Sequence, residues 1–388
     1  MDDAVTLEAP RFLWIGRSDE PNPVAAVDEA VSAFDVSEVC FVLAFLPSHL
    51  DVDETAQALS ARLPGPPVYG CTTAGQITGE GYEDHALLLL AFPKANFRCA
   101  SALIDDLAPL EAPQVAAQAQ RLDDKFRHRM GWKRLGLVFC DGLSKQEDLL
   151  ISTLDAVLKG VPIFGGSAGD GFRFERSFVL HDGRAHSNAA VLVLVETNLE
   201  FQGIGFDHFL PMGRQIVITR ADPDERLVYE INGAPAALEY ARLVGCPVTQ
   251  LSPEVFAENP MLLRHNQKFY VRAVREVSDN HAMSFLAAID DGLILTLGRG
   301  REIIETLDAG LDIQNAGGHV PDFVLGFDCA LRKLEIEQKQ LHRNVSQILR
   351  KRRVFGFNTY GEQQSGVHMN QTFVGVAFFE AQSREPTP

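Results

Sequence analysis

Three glycine-bounded segments carry the side chains whose chemistry and spacing first suggest a site. They span residues 70–75 (GCTTAG), 165–169 (GGSAG) and 356–361 (GFNTYG). Each places thiol, hydroxyl or amide groups between glycines, where a backbone can turn and approach a ligand closely. For a single segment, a tight turn without a ligand is the simpler interpretation, but three such segments favour a shared cleft. The residues predicted to line it are Cys71, Thr72, Thr73, Gly166, Ser167, Asn358, Thr359 and Tyr360.

Charged side chains elsewhere in the chain suit a carboxylate or amino-acid ligand. The guanidinium of Arg272 or Arg332 can hold a carboxylate through two parallel hydrogen bonds. Asp170 or Glu362 can accept hydrogen bonds from an ammonium group. Arg332 also has a simpler interpretation, as a solvated residue of a first helical turn or as half of an ion pair.

An enzyme is the alternative that two of these side chains raise. Residues 165–169 satisfy G-x-S-x-G, the nucleophile elbow of α/β-hydrolases, which needs a strand, the serine turn and then a helix. The Asp182-Gly183 turn signal predicts a hairpin instead, so Ser167 is not favoured as a nucleophile. Neighbouring amides could activate Cys71, but no partner histidine can be assigned to it. We therefore predict a binding protein, with an enzyme that uses Ser167 or Cys71 as the alternative.

The elements that position the three segments recur along the chain. Each segment ends a strand that follows an earlier strand and a helix, and a further apolar strand comes after it. Such crossovers make neighbouring strands parallel, and nearly continuous apolar runs are typical of strands covered on both faces. We predict an α/β fold of two domains built from related strand-helix-strand units, with mixed, mainly parallel sheets. The predicted first strand, helix and last strand of the three units are 39–45, 53–63 and 87–92; 135–140, 146–158 and 189–195; and 323–329, 331–352 and 372–379.

The domain limits follow from where these units lie. Residues 1–205 hold two units and form the first predicted domain, residues 206–380 form the second, and residues 381–388 form a polar, disordered tail. Because open α/β sheets bind ligands at the carboxyl ends of their strands, the glycine segments are placed where a ligand is expected.

Composition limits the classes of function. The chain has 388 residues, and 35 Lys and Arg against 52 Asp and Glu give a net charge of −17. That charge argues against nucleic acid or an anionic membrane as the partner of the whole surface. No apolar run approaches the roughly 20 residues of a membrane-spanning helix, and the acidic N-terminus does not resemble a signal peptide. Six scattered cysteines without a C-x-x-C pair indicate reduced thiols, so we predict a cytoplasmic protein.

One predicted helix runs against this acidic balance. Residues 331–353 hold eight Lys and Arg against two Glu, so 8 − 2 gives a net charge of +6. The simpler interpretation is a helix that covers a sheet and exposes its basic face. The alternative is a docking surface for an acidic partner or for the second subunit of a homodimer.

Four stretches together resemble the FIST family of signal-input proteins. They are 70–77 (GCTTAGQI), 164–170 (FGGSAGD), 356–362 (GFNTYGE) and 367–372 (VHMNQT). The family pairs a FIST-N domain with a FIST-C domain, to which residues 1–205 and 206–380 would correspond. The resemblance implies a sensory protein, and not an enzyme, that binds a small ligand such as an amino acid.

Residues 359–363 (TYGEQ), followed by 368–372 (HMNQT), look like a bacterial subgroup that binds haem and senses nitric oxide. That resemblance implies a non-covalent haem b with His368 as the axial iron ligand, and Asn370 as a ligand contact in the same stretch. It also implies a separate signalling partner, either a histidine kinase of a two-component system or an enzyme of cyclic-di-GMP. The alternative for His368 is a hydrogen bond that orders the turn or contacts a small ligand. The alternative for the protein is an amino-acid sensor without haem.

Overall fold

The computed structural model describes residues 9–265 and 268–381, so nearly all of the predicted tail lies outside the described residues. Capping explains where some helices begin: the Asp51 carboxylate, for example, accepts a hydrogen bond from the backbone N–H of Glu54, 2.8 Å away. Within these ranges, no helix combines the length and the apolar character that crossing a membrane requires. The helices are α1 (Pro23–Val31), α2 (Val52–Arg62), α3 (Ala112–Lys125), α4 (Glu147–Val157), α5 (Ala236–Val244), α6 (Pro253–Glu258), α7 (Ile303–Leu311), α8 (Ala330–Gln338) and α9 (His342–Lys351).

The strands fall into four groups along the chain. The first group is β1 (Trp14–Ser18), β2 (Val39–Leu46), β3 (Val68–Thr72), β4 (Gln76–Thr78), β5 (Gly81–Glu83), β6 (Leu87–Pro93) and β7 (Phe97–Ile104). The second is β8 (Lys133–Cys140), β9 (Ile163–Ser167), β10 (Val179–His181), β11 (Arg184–His186), β12 (Ala190–Thr197) and β13 (Glu200–Phe206). The third is β14 (Phe209–Asp222), β15 (Leu227–Ile231), β16 (Ala234–Pro235), β17 (Met261–His265), β18 (Lys268–Arg272), β19 (Val274–Val277), β20 (Met283–Phe285) and β21 (Ile294–Gly300). The fourth is β22 (Phe323–Cys329), β23 (Val354–Thr359), β24 (Glu362–Gln364), β25 (Val367–Met369) and β26 (Phe373–Phe379).

The first, second and fourth groups repeat one arrangement, and we call them the first, second and third units. In each, a strand, a helical crossover and a second strand form a parallel pair: β2 with β3, β8 with β9, and β22 with β23. A later strand then returns antiparallel to the first strand of the pair, as β6, β12 and β26 do. The three predicted strand-helix-strand units are therefore confirmed.

The hairpin after each glycine segment pairs with the sheet of a different unit. β4 and β5 extend the sheet of the third unit, β10 and β11 extend that of the first, and β24 and β25 extend that of the second. Each unit therefore gives one hairpin and receives one, which closes the three units into a ring.

Two predictions about these units are wrong. The sheets are mixed, but antiparallel pairs outnumber the three parallel ones in the described chain, because the returning strands and hairpins run opposite to their neighbours. The single helix predicted at 331–352 is two helices, α8 and α9, with Gln340 between them at a left-handed φ of 59°. Arg332, Lys333 and Glu335 of α8 are buried, so the first half of the basic stretch presents no basic face.

β14 to β21 form a further sheet between the second and third units, which we call the inserted sheet. It has its own apolar core, which includes Ile216, Tyr240 and Met283. It contacts the second unit through a buried ion pair, in which Arg226 Nη2 lies 2.5 Å from Glu147 Oε2. The inserted sheet and the second unit therefore meet at a charged, desolvated contact.

Phenylalanine side chains pack the three units on one another. Phe45 of β2, Phe139 of β8 and Phe327 of β22 are fully buried. The ring centroids of Phe45 and Phe139 are 5.9 Å apart, and those of Phe139 and Phe327 are 6.3 Å apart. This aromatic cluster is the core that the units share, and such edge-to-face pairs add to the apolar area that they bury.

Each parallel strand pair brings two backbones close together at a glycine. A Cβ added to Gly70, Gly165 or Gly356 would lie 1.9, 1.9 or 1.8 Å, respectively, from a carbonyl oxygen of the neighbouring strand. For Gly165 that oxygen belongs to Val138. The strands that lead into the three segments therefore require glycine for space.

We expect Gly165→Ala to lower the free energy of unfolding by about 1–3 kcal/mol, because the new methyl group would force two paired backbones apart. The matched control is Gly65→Ala, since a Cβ at Gly65 meets no atom within 4 Å, and it should change stability by less than about 0.5 kcal/mol. Urea unfolding followed by circular dichroism measures both. Equal stability of the two variants would contradict the close approach.

Candidate functional site

The three glycine segments lie together and hydrogen-bond to one another through their backbones. The N–H of Ala74 donates to the carbonyl of Asn358 at 3.0 Å, and the N–H of Gly169 donates to that of Thr72 at 3.0 Å. The N–H of Ser167 donates to the carbonyl of Gly361 at 2.8 Å. Each segment is thus linked to the other two, at the carboxyl ends of β3, β9 and β23.

The side chains of the first segment are buried and used within the protein. Thr72 Oγ1 accepts a hydrogen bond from the N–H of Phe178 at 3.0 Å, and Thr73 Oγ1 donates to the carbonyl of Leu46 at 3.1 Å. Burial raises the pKa of the Cys71 thiol well above its ordinary value, and nearby Cys140 adds to the effect. A thiol with a raised pKa is a poor nucleophile at neutral pH.

Ser167 is also buried, and its hydroxyl faces an amide group. Gln363 Nε2 donates to Ser167 Oγ at 2.8 Å, and the same nitrogen lies 3.3 Å from His368 Nδ1. Gln363 therefore stands between the serine and the imidazole. Space is equally restricted at Gly166, where a Cβ would lie 2.5 Å from Thr359 Cγ2.

Tyr360 and Asp170 form a pair that orders the loop after the second segment. The Tyr360 hydroxyl donates to Asp170, whose carboxylate also accepts backbone N–H bonds from residues 174, 175 and 176. Burial alone would raise the pKa of Asp170, but these hydrogen bonds outweigh it and hold the pKa below the usual range. Asp170 is thus an ionised, fully engaged carboxylate.

Glu362 is a second buried carboxylate, and it holds the turn of the third segment. It accepts hydrogen bonds from Thr359 Oγ1 at 2.5 Å and from Thr372 Oγ1 at 2.7 Å. Burial raises the pKa of Glu362 to about 8, although the hydrogen bonds from the threonines favour the charged form. Glu362 therefore keeps its proton at neutral pH.

Arg332 occupies a different buried network. Its Nε donates to Asp328 Oδ1 at 2.7 Å, and its Nη1 lies 2.9 Å from His208 Nδ1. His208 Nε2 in turn lies 2.9 Å from Glu335 Oε2. Of the two alternatives to a ligand contact, the ion pair is the one that the structure shows.

Arg272 is the charged residue that stands apart from these networks. It is 7% exposed, and no described carboxylate pairs with it. Its Nη1 reaches the carbonyls of His368 and Val271 at 3.4 and 3.5 Å, and its Nε has no hydrogen-bond partner. Burial lowers the pKa of Arg272, and nearby Arg226 lowers it further.

Further buried polar atoms without a partner concentrate around Arg272 and residues 363–372. Buried polar groups are normally hydrogen-bonded, so such a concentration marks a place that water or a polar ligand fills. The atoms in this region are Arg226 Nε, Arg272 Nε, Gln363 Oε1, His368 Nε2, Asn370 Oδ1 and Gln371 Oε1.

A cavity of about 220 Å³ opens between the second unit and the inserted sheet. We call it the polar cavity, and define it by Glu147, Phe174, Arg226, Phe285 and Tyr360, which line it. Its charged residues also act on the unpartnered groups. Glu147 and Arg226 influence the pKa of His368, and Arg226 influences that of Arg272.

Two charged residues of the polar cavity were not predicted from the sequence. Glu147 opens α4, and Arg226 lies in a turn of the inserted sheet at a positive φ of 56°. Neither belongs to a glycine segment, so no local pattern distinguished them from surface charges. Gln371, by contrast, lies within the stretch 367–372, and Gln363 directly follows the stretch 356–362. Their positions could therefore have marked them as site residues.

A haem does not fit the surroundings of His368. Two features would suit an iron ligand: the imidazole Nε2 has no partner, and burial lowers the pKa so that the ring is neutral. However, the ring packs so tightly on Gly361 that a Cβ there would lie 2.1 Å from Cε1. The charged groups that act on the imidazole are those of Glu147, Asp148, Arg226 and Arg272, whereas a haem needs an open apolar slot. Nor do the described residues contain a cluster of three or more His, Cys, Asp or Glu placed to hold a metal ion.

The ring of units, the inserted sheet and the polar cavity between them define an α/β protein with a candidate site for a small ligand. The chain belongs to the FIST family, because the family models of the FIST N domain and the FIST C domain match residues 40–234 and 236–365. FIST domains are sensory domains that bind small ligands, and membership of this family is consistent with a signal-input role. The resemblance to the family drawn from the glycine segments is thereby confirmed.

One relative is an uncharacterized protein of Methanocaldococcus jannaschii. It is 24% identical to this chain over 284 residues, which cover 68% of this chain and 52% of the relative. The chain thus spans about half the length of the curated relative that it matches.

We expect Arg272→Met to leave the free energy of unfolding unchanged or higher, because methionine replaces a buried cation that has no paired carboxylate. Arg226→Met is the matched comparison. It should lose about 3–5 kcal/mol, since it strands the buried Glu147 carboxylate. Urea unfolding of the purified, ligand-free protein measures the difference, and a similar loss in both variants would show that Arg272 has a partner.

We expect Glu362→Gln to flatten the dependence of stability on pH. A carboxyl group whose folded pKa is raised, here from 4.5 to about 8, stabilises the fold below the unfolded pKa and loses that contribution as pH rises through the folded pKa. Wild type should therefore lose stability between roughly pH 4.5 and 8, and the variant should not. Unfolding midpoints across that range test this, with the exposed Glu20→Gln as the control that keeps the wild-type slope.

Proposed function

We propose that this protein is a sensor whose ligand is a small molecule with a carboxylate group, and that Arg272 binds this carboxylate. The proposal rests on the burial of Arg272 without a paired carboxylate among the described residues. An unpaired buried guanidinium costs the fold free energy. A ligand carboxylate would offset that cost through two parallel, charge-assisted hydrogen bonds.

The negative charge of Asp148 acts on Arg272, which supports a ligand that also carries hydrogen-bond donors, such as an amino acid. Asp170 and Glu362, the predicted ammonium acceptors, are occupied by tyrosine, threonine and backbone groups. Asp148 at the start of α4 is better placed, because it acts electrostatically on both His368 and Arg272, whereas Glu147 is already paired with Arg226. We therefore assign the donor end of the ligand to Asp148.

A ligand at this place would connect two parts of the molecule. Arg272 and Arg226 belong to the inserted sheet, whereas Glu147 and Asp148 belong to the second unit. A ligand held by both parts binds more tightly when they are close together. It therefore shifts the conformational equilibrium toward the state in which the inserted sheet and the second unit are in contact. The output of this shift, regulation of a separate partner such as a histidine kinase or an enzyme of cyclic-di-GMP in the cytoplasm, belongs to the same proposal.

Thermal unfolding of the purified protein with glutamate, succinate, acetate and the uncharged succinamide tests the ligand class. We expect the carboxylates to raise the unfolding midpoint and succinamide to leave it unchanged, with a stabilisation of about 2.7 kcal/mol at a ligand concentration 100 times the Kd. Arg272→Met should abolish the effect, because it removes the fork of donors.

Arg299→Met is the matched control, because Arg299 is an exposed arginine of the same inserted sheet. It should keep the wild-type response. Equal midpoint shifts in the Arg272 variant, or no shift with any carboxylate, would overturn the assignment. A Soret band that appears on adding haemin and is lost in His368→Gln would favour haem instead.

A further inference from the structure

Two cysteines outside the proposed ligand site lie side by side between the first and second sheets. Cys40 is near the start of β2, and Cys99 is in β7, which belongs to the sheet of the second unit. Both side chains pack against the same aromatic cluster, and the side chain and backbone of Cys99 act on the Cys40 thiol through hydrogen bonding that lowers its pKa. Both residues are half-buried rather than sealed in the core.

A β-bulge explains why Cys40 faces Cys99. The register between β2 and β6 shifts between Val39 and Phe41, so Cys40 is the extra residue of the bulge. Val39 packs in the core on one face of the sheet, whereas Cys40 and Phe41 both pack on the other face, which contains the aromatic cluster. Regular alternation would have put Cys40 and Phe41 on opposite faces. The bulge therefore turns the Cys40 thiol toward β7.

The surroundings of the pair distinguish the two sulfurs. Hydrogen bonding by Cys99 lowers the pKa of the Cys40 thiol, and the positive charges of Lys94 and Arg98 lower it further. The Cys99 sulfur lies 4.0 Å from the hydroxyl of Tyr69, and the pKa of Cys99 is raised by Cys40 and by burial. Cys40 is thus the nucleophilic sulfur, and Cys99 is the thiol that remains protonated beside it.

We propose that Cys40 and Cys99 are a thiol modification site at which a hydroperoxide forms a reversible disulfide between the first and second sheets. The Cys40 thiolate attacks the peroxide oxygen, so that an S–O bond forms, the O–O bond breaks and an alcohol or water leaves. Cys40 is then a sulfenic acid. The Cys99 sulfur attacks it, the S–S bond forms and water leaves with the proton of Cys99. The two thiols lose two electrons in total, and the peroxide gains them.

The disulfide would join strands that carry no direct hydrogen bonds to each other. β2 pairs with β3 and β6, and β7 pairs with β12. A covalent link between them would fix the two sheets at the end of β2 remote from the glycine segments. The polar cavity is unaffected by this chemistry, so the proposal stands independently of the proposed ligand.

Thiol titration and peptide mapping of the full chain test the proposal. After hydrogen peroxide, we expect the thiols titrated in denaturant to fall from six to four, and to return to six with dithiothreitol. Tryptic digestion without reductant should yield peptide 18–62 linked to peptide 99–121, each of which contains one cysteine. This mapping uses the wild-type protein, so it does not depend on how any variant folds.

Single substitutions assign the roles of the two sulfurs. Cys99→Ser should leave a sulfenic acid at Cys40 that dimedone traps, whereas Cys40→Ser should keep its five thiols. Cys246→Ser, at a half-buried cysteine, is the matched control and should lose two thiols as wild type does. Six thiols retained after peroxide, a linked pair other than 40 and 99, or thiol loss unchanged in Cys40→Ser would each overturn the proposal.

Discussion

Backbone hydrogen bonds among the three glycine segments hold this molecule in its arrangement. Each segment leaves its own sheet and enters another, and it can do so because glycine lets two backbones meet at contact distance. A shift of one segment would displace the strand before it and the hairpin after it, in two different sheets. The hydroxyls of Thr72, Ser167 and Thr359 have the chemistry of ligand contacts, but they satisfy the protein's own polar groups at this crossing.

Polar groups in the interior therefore fall into two kinds. Those of Asp170 and Glu362 have partners, and the directions of their pKa shifts show how far those partners offset burial. Arg332 is paired with Asp328, although its Nη2 has no hydrogen-bond partner. Those near Arg272 lack partners, although they lie within the same compact protein. The same fold pairs the buried Arg226 with Glu147. The absence of a carboxylate beside Arg272 is therefore a local property of the contact between the inserted sheet and the second unit. Whether a buried polar group has a hydrogen-bond partner therefore distinguishes a candidate ligand site from a structural network better than the residue type does.

Much of the framework was predictable because local sequence determines it. Continuous apolar runs and the glycines that end them gave the three units, and the meeting of the segments followed from the rule that ligands lie at the carboxyl ends of strands. The exchange of hairpins was not predictable, because β4, β10 and β24 look the same whether they pair within a unit or between units. Charge counting likewise could not show that Arg332 and Lys333 are buried. Arg272 was predicted to bind a carboxylate from its residue type alone. Glu147 and Arg226, by contrast, reach the polar cavity through contacts between residues that are distant in sequence.

The ring of exchanged hairpins also determines when each strand can find its partner during synthesis on the ribosome. β9 ends at Ser167, but its partner β24 begins only at Glu362. While the intervening chain is being made, the emerging second sheet presents an open edge, and open edges pair readily with other chains. The same is true of β4, which waits for β23. A nascent chain of this topology therefore carries unpaired strand edges until its last unit emerges, and such edges are prone to aggregation.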